Sequence, residues 1–174
     1  ILLSKRLDAV GEPVLALGAL WMGFGSRITT LPPDQVDRET AEAEAQARAI
    51  PKNGYLPLLL MRRGQALARL GRIDEARSIF EEAIHIGDTM VWITSVFHLP
   101  AEVAQTMYEI GAKQEALTFL EERVPTMPMG VRRLQPVYLL ASLLTLAGRD
   151  DEALPYLREV VHWLSLPITQ SFSL

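Results

Sequence analysis

Leu67-Ala-Arg-Leu-Gly-Arg-Ile-Asp-Glu-Ala76 decides the fold, because its frame returns twice, as Met107-Tyr-Glu-Ile-Gly-Ala-Lys-Gln-Glu-Ala116 and Leu144-Thr-Leu-Ala-Gly-Arg-Asp-Asp-Glu-Ala153. Each copy has an apolar residue, then a glycine, then Glu-Ala. The glycines are Gly71, Gly111 and Gly148, 40 and then 37 residues apart, and a fixed period of this size is the mark of a repeat architecture. Each glycine separates two apolar-periodic segments, where the chain needs a positive φ that glycine adopts at little cost. The unit is therefore helix, tight turn, helix.

Before Gly71, the residues Leu60, Gly64, Leu67 and Leu70 fall at helical spacing, and after it Ala76, Ile79, Phe80, Ala83 and Ile84 do the same. The second copy places Val103, Ala104, Met107 and Ile110 before its glycine and Ala116, Leu117, Leu120 and Val124 after it. The third uses Leu140, Ala141, Leu144 and Ala147, then Ala153, Leu157, Val160 and Val161. Small residues at Gly64, Ala104 and Ala141, and again at Ala76, Ala116 and Ala153, let neighbouring helix axes approach to about 8–10 Å.

This pattern resembles the tetratricopeptide repeat. Gly64, Gly71, Ala76 and Phe80 stand where that family has its mid-helix small residue, turn glycine, second-helix alanine and aromatic. The later copies carry Leu120 and Leu157 in place of the aromatic and Arg123 at the next small position, and both steps exceed the usual 34 residues. The resemblance implies an all-α fold, a right-handed α-solenoid of antiparallel helix pairs, with three clear repeats at about 55–87, 88–127 and 131–165 and a degenerate N-terminal unit.

Outside the repeats, residues 34–54 read as a helix opened by Pro32-Pro33-Asp34 and stopped by Pro51-Lys-Asn-Gly54, suited to the second helix of that degenerate unit. Residues 1–33 form an apolar N-terminal segment. Within it, residues 13–26 carry no charge, yet fourteen residues fall short of the roughly 20 a bilayer span needs, which favours a buried helix. Extension back through residues 9–28 admits only Glu12 before Arg27 and leaves a membrane anchor as the alternative, with Lys5 and Arg6 as a flank. Residues 88–99 are rich in β-branched and aromatic side chains and read as helix from their context. The 166–174 tail has no charged side chain, so part of it is expected to pack.

A length of 174 residues suits one ordinary domain. A formal charge of −4 lacks the basic footprint of a general nucleic-acid binder, and 49% hydrophobic against 22% charged residues is far from a disordered composition. The absence of cysteine excludes disulfides, thiolate metal sites and a cysteine nucleophile, and leaves both a cytoplasmic and a membrane-associated or periplasmic setting open.

The sequence lacks a Gly-x-Ser-x-Gly elbow, a phosphate-binding Gly-Lys-Ser/Thr loop and His-Glu-x-x-His, so an enzyme is disfavoured and no cofactor is implied. Glu82-Ala-Ile-His85 and Glu159-Val-Val-His162 both have the Glu-x-x-His spacing of di-iron helix bundles. Each glutamate sits eleven residues past its turn glycine, so the two are separated by two repeat layers, on the order of 20 Å, and cannot share a metal. The doublets Arg62-Arg63 and Arg132-Arg133 read as solvated helix faces, and Asp150-Asp-Glu152 as acid placed favourably at a helix start.

In such a stack the first helices line the hollow side. The resemblance places Met61, Gln65, Arg69, His98, Gln105, Tyr108, Gln135, Tyr138, Ser142 and Thr145 there, a neutral amide and hydroxyl surface with two tyrosines. Tetratricopeptide domains that hold acidic chaperone tails use a cationic clamp. The matching positions here are Met61, Gln65, Glu102, Gln135 and Leu139, none of them cationic, which disfavours that ligand. The leading expectation is a non-catalytic scaffold or adaptor that binds a protein or peptide. The alternative is an extracytoplasmic repeat domain tethered by residues 9–28 at the end of a polytopic envelope protein of the polysaccharide polymerase or ligase type. A metal-binding or enzymatic helical protein is a remote third.

Overall fold

A computed structural model describes residues 2–89, 99–129 and 133–166. Among them there is no strand. The helices run in chain order as α1 (Leu2–Ala9), α2 (Pro13–Arg27), α3 (Pro33–Arg48), α4 (Leu56–Arg69), α5 (Ile73–Asp88), α6 (Leu99–Glu109), α7 (Lys113–Arg123), α8 (Leu134–Leu146) and α9 (Asp150–Ser165). The fold is all-α and of the helix-pair solenoid class. Helix α5 ends at Asp88 and α6 begins at Leu99; residues 90–98, on which the reading of 88–99 as helix falls, lie outside the described residues.

The repeated glycines do what their spacing requires. Gly71, Gly111 and Gly148 have φ of 76°, 92° and 73°. At each, the same two bonds close the first helix. Arg72 N–H donates to the Leu67 carbonyl at 3.0 Å and Gly71 N–H to Ala68 at 3.0 Å; Ala112 donates to Met107 at 2.9 Å and Gly111 to Tyr108 at 3.1 Å; Arg149 donates to Leu144 at 2.9 Å and Gly148 to Thr145 at 3.0 Å. This is the Schellman pairing, which satisfies carbonyls that the helix end would otherwise leave open. The amides of Ala76, Ala116 and Ala153 then open the second helices by donating to the carbonyls of Arg72, Ala112 and Arg149. Backbone geometry, not sequence alone, shows the three turns to be copies.

A fourth copy of the turn lies at Gly11, whose φ is 82°. Glu12 N–H donates to the Leu7 carbonyl at 2.9 Å, Gly11 to Asp8 at 3.0 Å and Ala16 to Glu12 at 3.0 Å. Buried Ser4 and Leu20 stand at the positions of Gly64 and Phe80. Thus α1 and α2 repeat the helix pair inside a segment that reads, from composition, as an apolar stretch. Helix α2 is 15 residues long. Its Leu17, Leu20 and Phe24 pack with Ala43 and Ala47 of α3 and Leu59 of α4, while Val14, Leu15 and Met22 remain exposed. Among the described residues, no helix is long and apolar enough to cross a membrane.

One side chain organises the passage from α3 to α4. Buried Asn53 donates through Nδ2 to the carbonyls of Ala47 and Ile50, at 2.5 and 2.7 Å, and its Oδ1 accepts the amides of Tyr55 and Leu56, both at 3.1 Å. A single amide group thereby closes one helix and opens the next, supplying the partners that both ends lack.

The length suggests one core, but the chain divides into two compact units, residues 1–99 and 100–174. Repeats touch only their neighbours, so the fold does not require a central core. In the first unit α2, α3 and α4 share one apolar cluster, and Ile28, Val36 and Ala66 form another. In the second, Ala104, Ala116, Leu117, Leu120, Leu140, Leu144, Ala153 and Val160 pack together, drawing on all four helices.

Candidate partner-binding surface

The first helix of the first repeat gives little of its inner face to solvent. Met61 is 1% exposed and belongs to the core. Half-buried Gln65 accepts a bond from Arg62 Nη1 at 2.9 Å. Arg69 turns its guanidinium onto the Ile28 carbonyl at the end of α2. Of these three, Arg69 is the one that reaches the N-terminal pair, at the end of α2.

Arginines from α3, α4 and the turn before α5 are likewise committed internally. Arg63 pairs with Glu44 at 2.5 Å and Asp37 at 3.4 Å, Arg72 with Asp37 at 2.9 Å, and Arg48 with Glu44 and Glu82, both at 2.8 Å. The hydrogen bonds that Arg48 donates to Glu44 and Glu82 hold its guanidinium above its ordinary pKa. The reading of Arg62-Arg63 and Arg132-Arg133 as solvated faces is thus overturned for Arg63 and Arg133; Arg132 lies outside the described residues. Arg133 is buried, with its Nε 2.9 Å from Glu159 Oε1 and its Nη1 donating to the Met127 carbonyl at 3.0 Å. The charges of Arg63 and Arg133 join segments.

The same pairs account for both Glu-x-x-His motifs. Glu82 answers Arg48 and Glu159 answers Arg133, which leaves each carboxylate a structural partner. Among the described residues no three His, Asp or Glu side chains are grouped to hold a metal. His98 lies outside the described residues.

The second unit is different. On α8, Gln135, Tyr138, Ser142 and Thr145 recur at steps of three, four and three residues, so they share one side of the helix. Pro136, Val137, Leu140, Ala141, Leu143 and Leu144 are buried on the other. Tyr138 is 57% exposed. Ser142 donates its hydroxyl to the Tyr138 carbonyl at 2.8 Å, leaving its oxygen free to accept. On α6, exposed Gln105 donates to Glu109 at 3.1 Å, and Tyr108 packs on the core with the Lys113 ammonium 5.1 Å from its ring centre. A cation held there takes up one face of the ring. Tyr138 is the tyrosine with its ring open to solvent.

Residues 59–86, which lie within α4 and α5, match the family model of the tetratricopeptide repeat. The chain carries a tetratricopeptide repeat. Gly64, Gly71, Ala76 and Phe80 all fall inside the matched stretch. No curated protein matches the chain. A solved structure of kinesin light chain nearly identical TPR-like repeats from Podosopora anserina aligns with a TM-score of 0.49 at 20% identity, covering 92% of this chain and 90% of that one. Outside residues 59–86, the turns at Gly111 and Gly148 are bonded as the turn at Gly71 is.

The feature that sequence reading missed is the Gly11 turn. Its signal was present as Leu7, Gly11 and Ala16, spaced as Leu67, Gly71 and Ala76 are, but the Glu before the alanine is replaced by Leu15.

Proposed function

We propose that this chain is a non-catalytic scaffold that binds a protein or peptide, with the α8 face as its principal contact. The observation that carries the reading is an exposed tyrosine in a charge-free line of amide and hydroxyl groups, on a helix whose other side is fixed in the core. Tetratricopeptide repeats are commonly interaction modules, and an exposed tyrosine offers a large contact area with few rotatable bonds. Gln135 can both donate to and accept from a peptide backbone, Thr145 can do the same through its hydroxyl, and Ser142 accepts. A rigid helix presenting these groups loses little order on binding. Gln105 and Tyr108 on α6 add a second, weaker contact, because each already has an internal partner.

The test is selection of peptides from a displayed library on the whole chain, with counter-selection on the Tyr138→Ala variant. Peptides that bind the parent should lose on the order of 30-fold in affinity to Tyr138→Ala, the effect of an interface anchor worth about 2 kcal/mol. Tyr108→Ala should lose less. Equal affinity for parent and Tyr138→Ala would sink the assignment to α8.

A further inference from the structure

Asn53 is the only asparagine in the sequence, and Gly54 follows it. Where such a pair is loose it reacts with itself, because glycine puts no side chain beside its own nitrogen and lets the backbone turn freely. The Gly54 nitrogen gives up its proton to the solvent and bonds to Asn53 Cγ. The Cγ–Nδ2 bond breaks, Nδ2 takes up a proton and leaves as ammonia, and a cyclic imide remains. Water then adds to either imide carbonyl and reopens the ring, leaving aspartate or isoaspartate at position 53. Water is the sole co-reactant and ammonia the sole product released.

The fold restrains this reaction through the group that must leave. Asn53 is 6% exposed, and Gly54 is buried beside it, which keeps base from its N–H. Nδ2 donates to the carbonyls of Ala47 and Ile50, while Oδ1 accepts the amides of Tyr55 and Leu56. Loss of Nδ2 removes a donor from both carbonyls, so the conversion has to break the joint between α3 and α4.

Neither product restores that joint. An aspartate could still cap α4 through one oxygen, but its other oxygen would face the Ala47 and Ile50 carbonyls, acceptor against acceptors. It would also set a negative charge at the C-terminal end of α3, where the helix dipole disfavours one. Isoaspartate lengthens the main chain by one carbon and so displaces the cap from the amides it serves.

We propose that Asn53-Gly54 is a self-modification site gated by the α3–α4 joint. Closed, the joint protects the amide; once open, it allows a conversion after which it cannot close as before. The whole chain, held in mildly alkaline buffer with or without urea, tests this when the tryptic peptide from Asn53 to Arg62 is weighed over time. Conversion should be at least about tenfold slower in buffer than in urea, since in buffer it draws only on the opened fraction. In urea, Gly54→Ala should slow it several-fold, because a side chain then crowds the attacking nitrogen. The converted chain, separated by its added charge, should exchange the amide hydrogens around Tyr55 and Leu56 faster than the unconverted chain, and Asn53→Asp should melt below the parent. Equal rates in buffer and urea, no conversion in urea, or no effect of Gly54→Ala there would overturn the proposal. So would an Asn53→Asp chain that melts with the parent. Should Asn53→Asp fail to fold, amide exchange in the converted parent decides whether the joint stays open, and unchanged exchange would overturn the proposal.

Discussion

Phe80 of α5 lies against the backbone of Gly64 on α4, so that a Cβ added at Gly64 would fall 2.6 Å from Phe80 Cδ1. The missing side chain lets the ring enter, and Phe80 is buried as a result. Gly64→Ala should destabilise the protein by about 1–3 kcal/mol through overpacking. Phe80→Ala should cost about 3–5 kcal/mol through the cavity left behind. In urea denaturation the double variant should cost less than the sum, because removing the ring removes the clash; strict additivity would show that the two residues do not define the pair's spacing.

The turn glycines make a separate prediction. Nothing lies within 4 Å of a Cβ built at Gly71, Gly111 or Gly148, so a substitution there meets backbone strain and no steric contact. Alanine at any one should cost about 1–2 kcal/mol, and asparagine less, since it tolerates the left-handed region better. The same cost should appear at Gly11, which is equally open. A neutral Gly11→Ala in thermal melts would break the equivalence of the fourth turn with the other three.

The helix pairs were legible because two constraints print directly on sequence: the positive φ of a turn and the small residue where helices touch. Gly71, Gly111, Gly148 and Gly64 carry both. The N-terminal pair was obscured because its turn is followed by an apolar helix, so hydropathy drew attention away from the spacing of Leu7, Gly11 and Ala16. The candidate surface was legible only in part. A repeat frame assigns a side chain to a face of its helix, but whether that face is open depends on what packs there. Met61 and Arg69 occupy expected positions and are covered or engaged, while Tyr138 is open. The ion pairs between segments were not readable at all, because Arg63 and Glu44, or Arg133 and Glu159, meet through tertiary packing at separations that no local pattern encodes.

Acid titration should expose the surface pairs that follow the turns. Arg149 holds Glu152 below its ordinary pKa of 4.5 through a side-chain hydrogen bond, and Arg72 does the same to Glu75. A carboxylate whose pKa is depressed by folding stabilises the native state above its unfolded pKa, and that contribution is lost as pH falls through the folded value. Stability should therefore decline below about pH 4.5, and Glu152→Gln with Glu75→Gln should flatten that decline. Both pairs are exposed, so the change is expected to be small and to shrink further in high salt. Melts between pH 3 and 6 at two salt concentrations check it; an unaltered acid slope in the double variant would remove these pairs as its source.

Arg133 and Glu159 offer the sharper electrostatic test, since their side chains are only 8% and 15% exposed and they join the start of α8 to α9. Removing one partner leaves the other charge in a poorly solvated place. Arg133→Met should cost about 3–5 kcal/mol. Replacing both, as Arg133→Met with Glu159→Leu, should recover much of that loss, because an apolar pair of similar size needs no ion hydration. The Met127 carbonyl would still lose its donor, so recovery should be incomplete. If the double variant is as unstable in chemical denaturation as Arg133→Met alone, the arginine acts chiefly through that carbonyl, and the ion pair is not what fastens these segments.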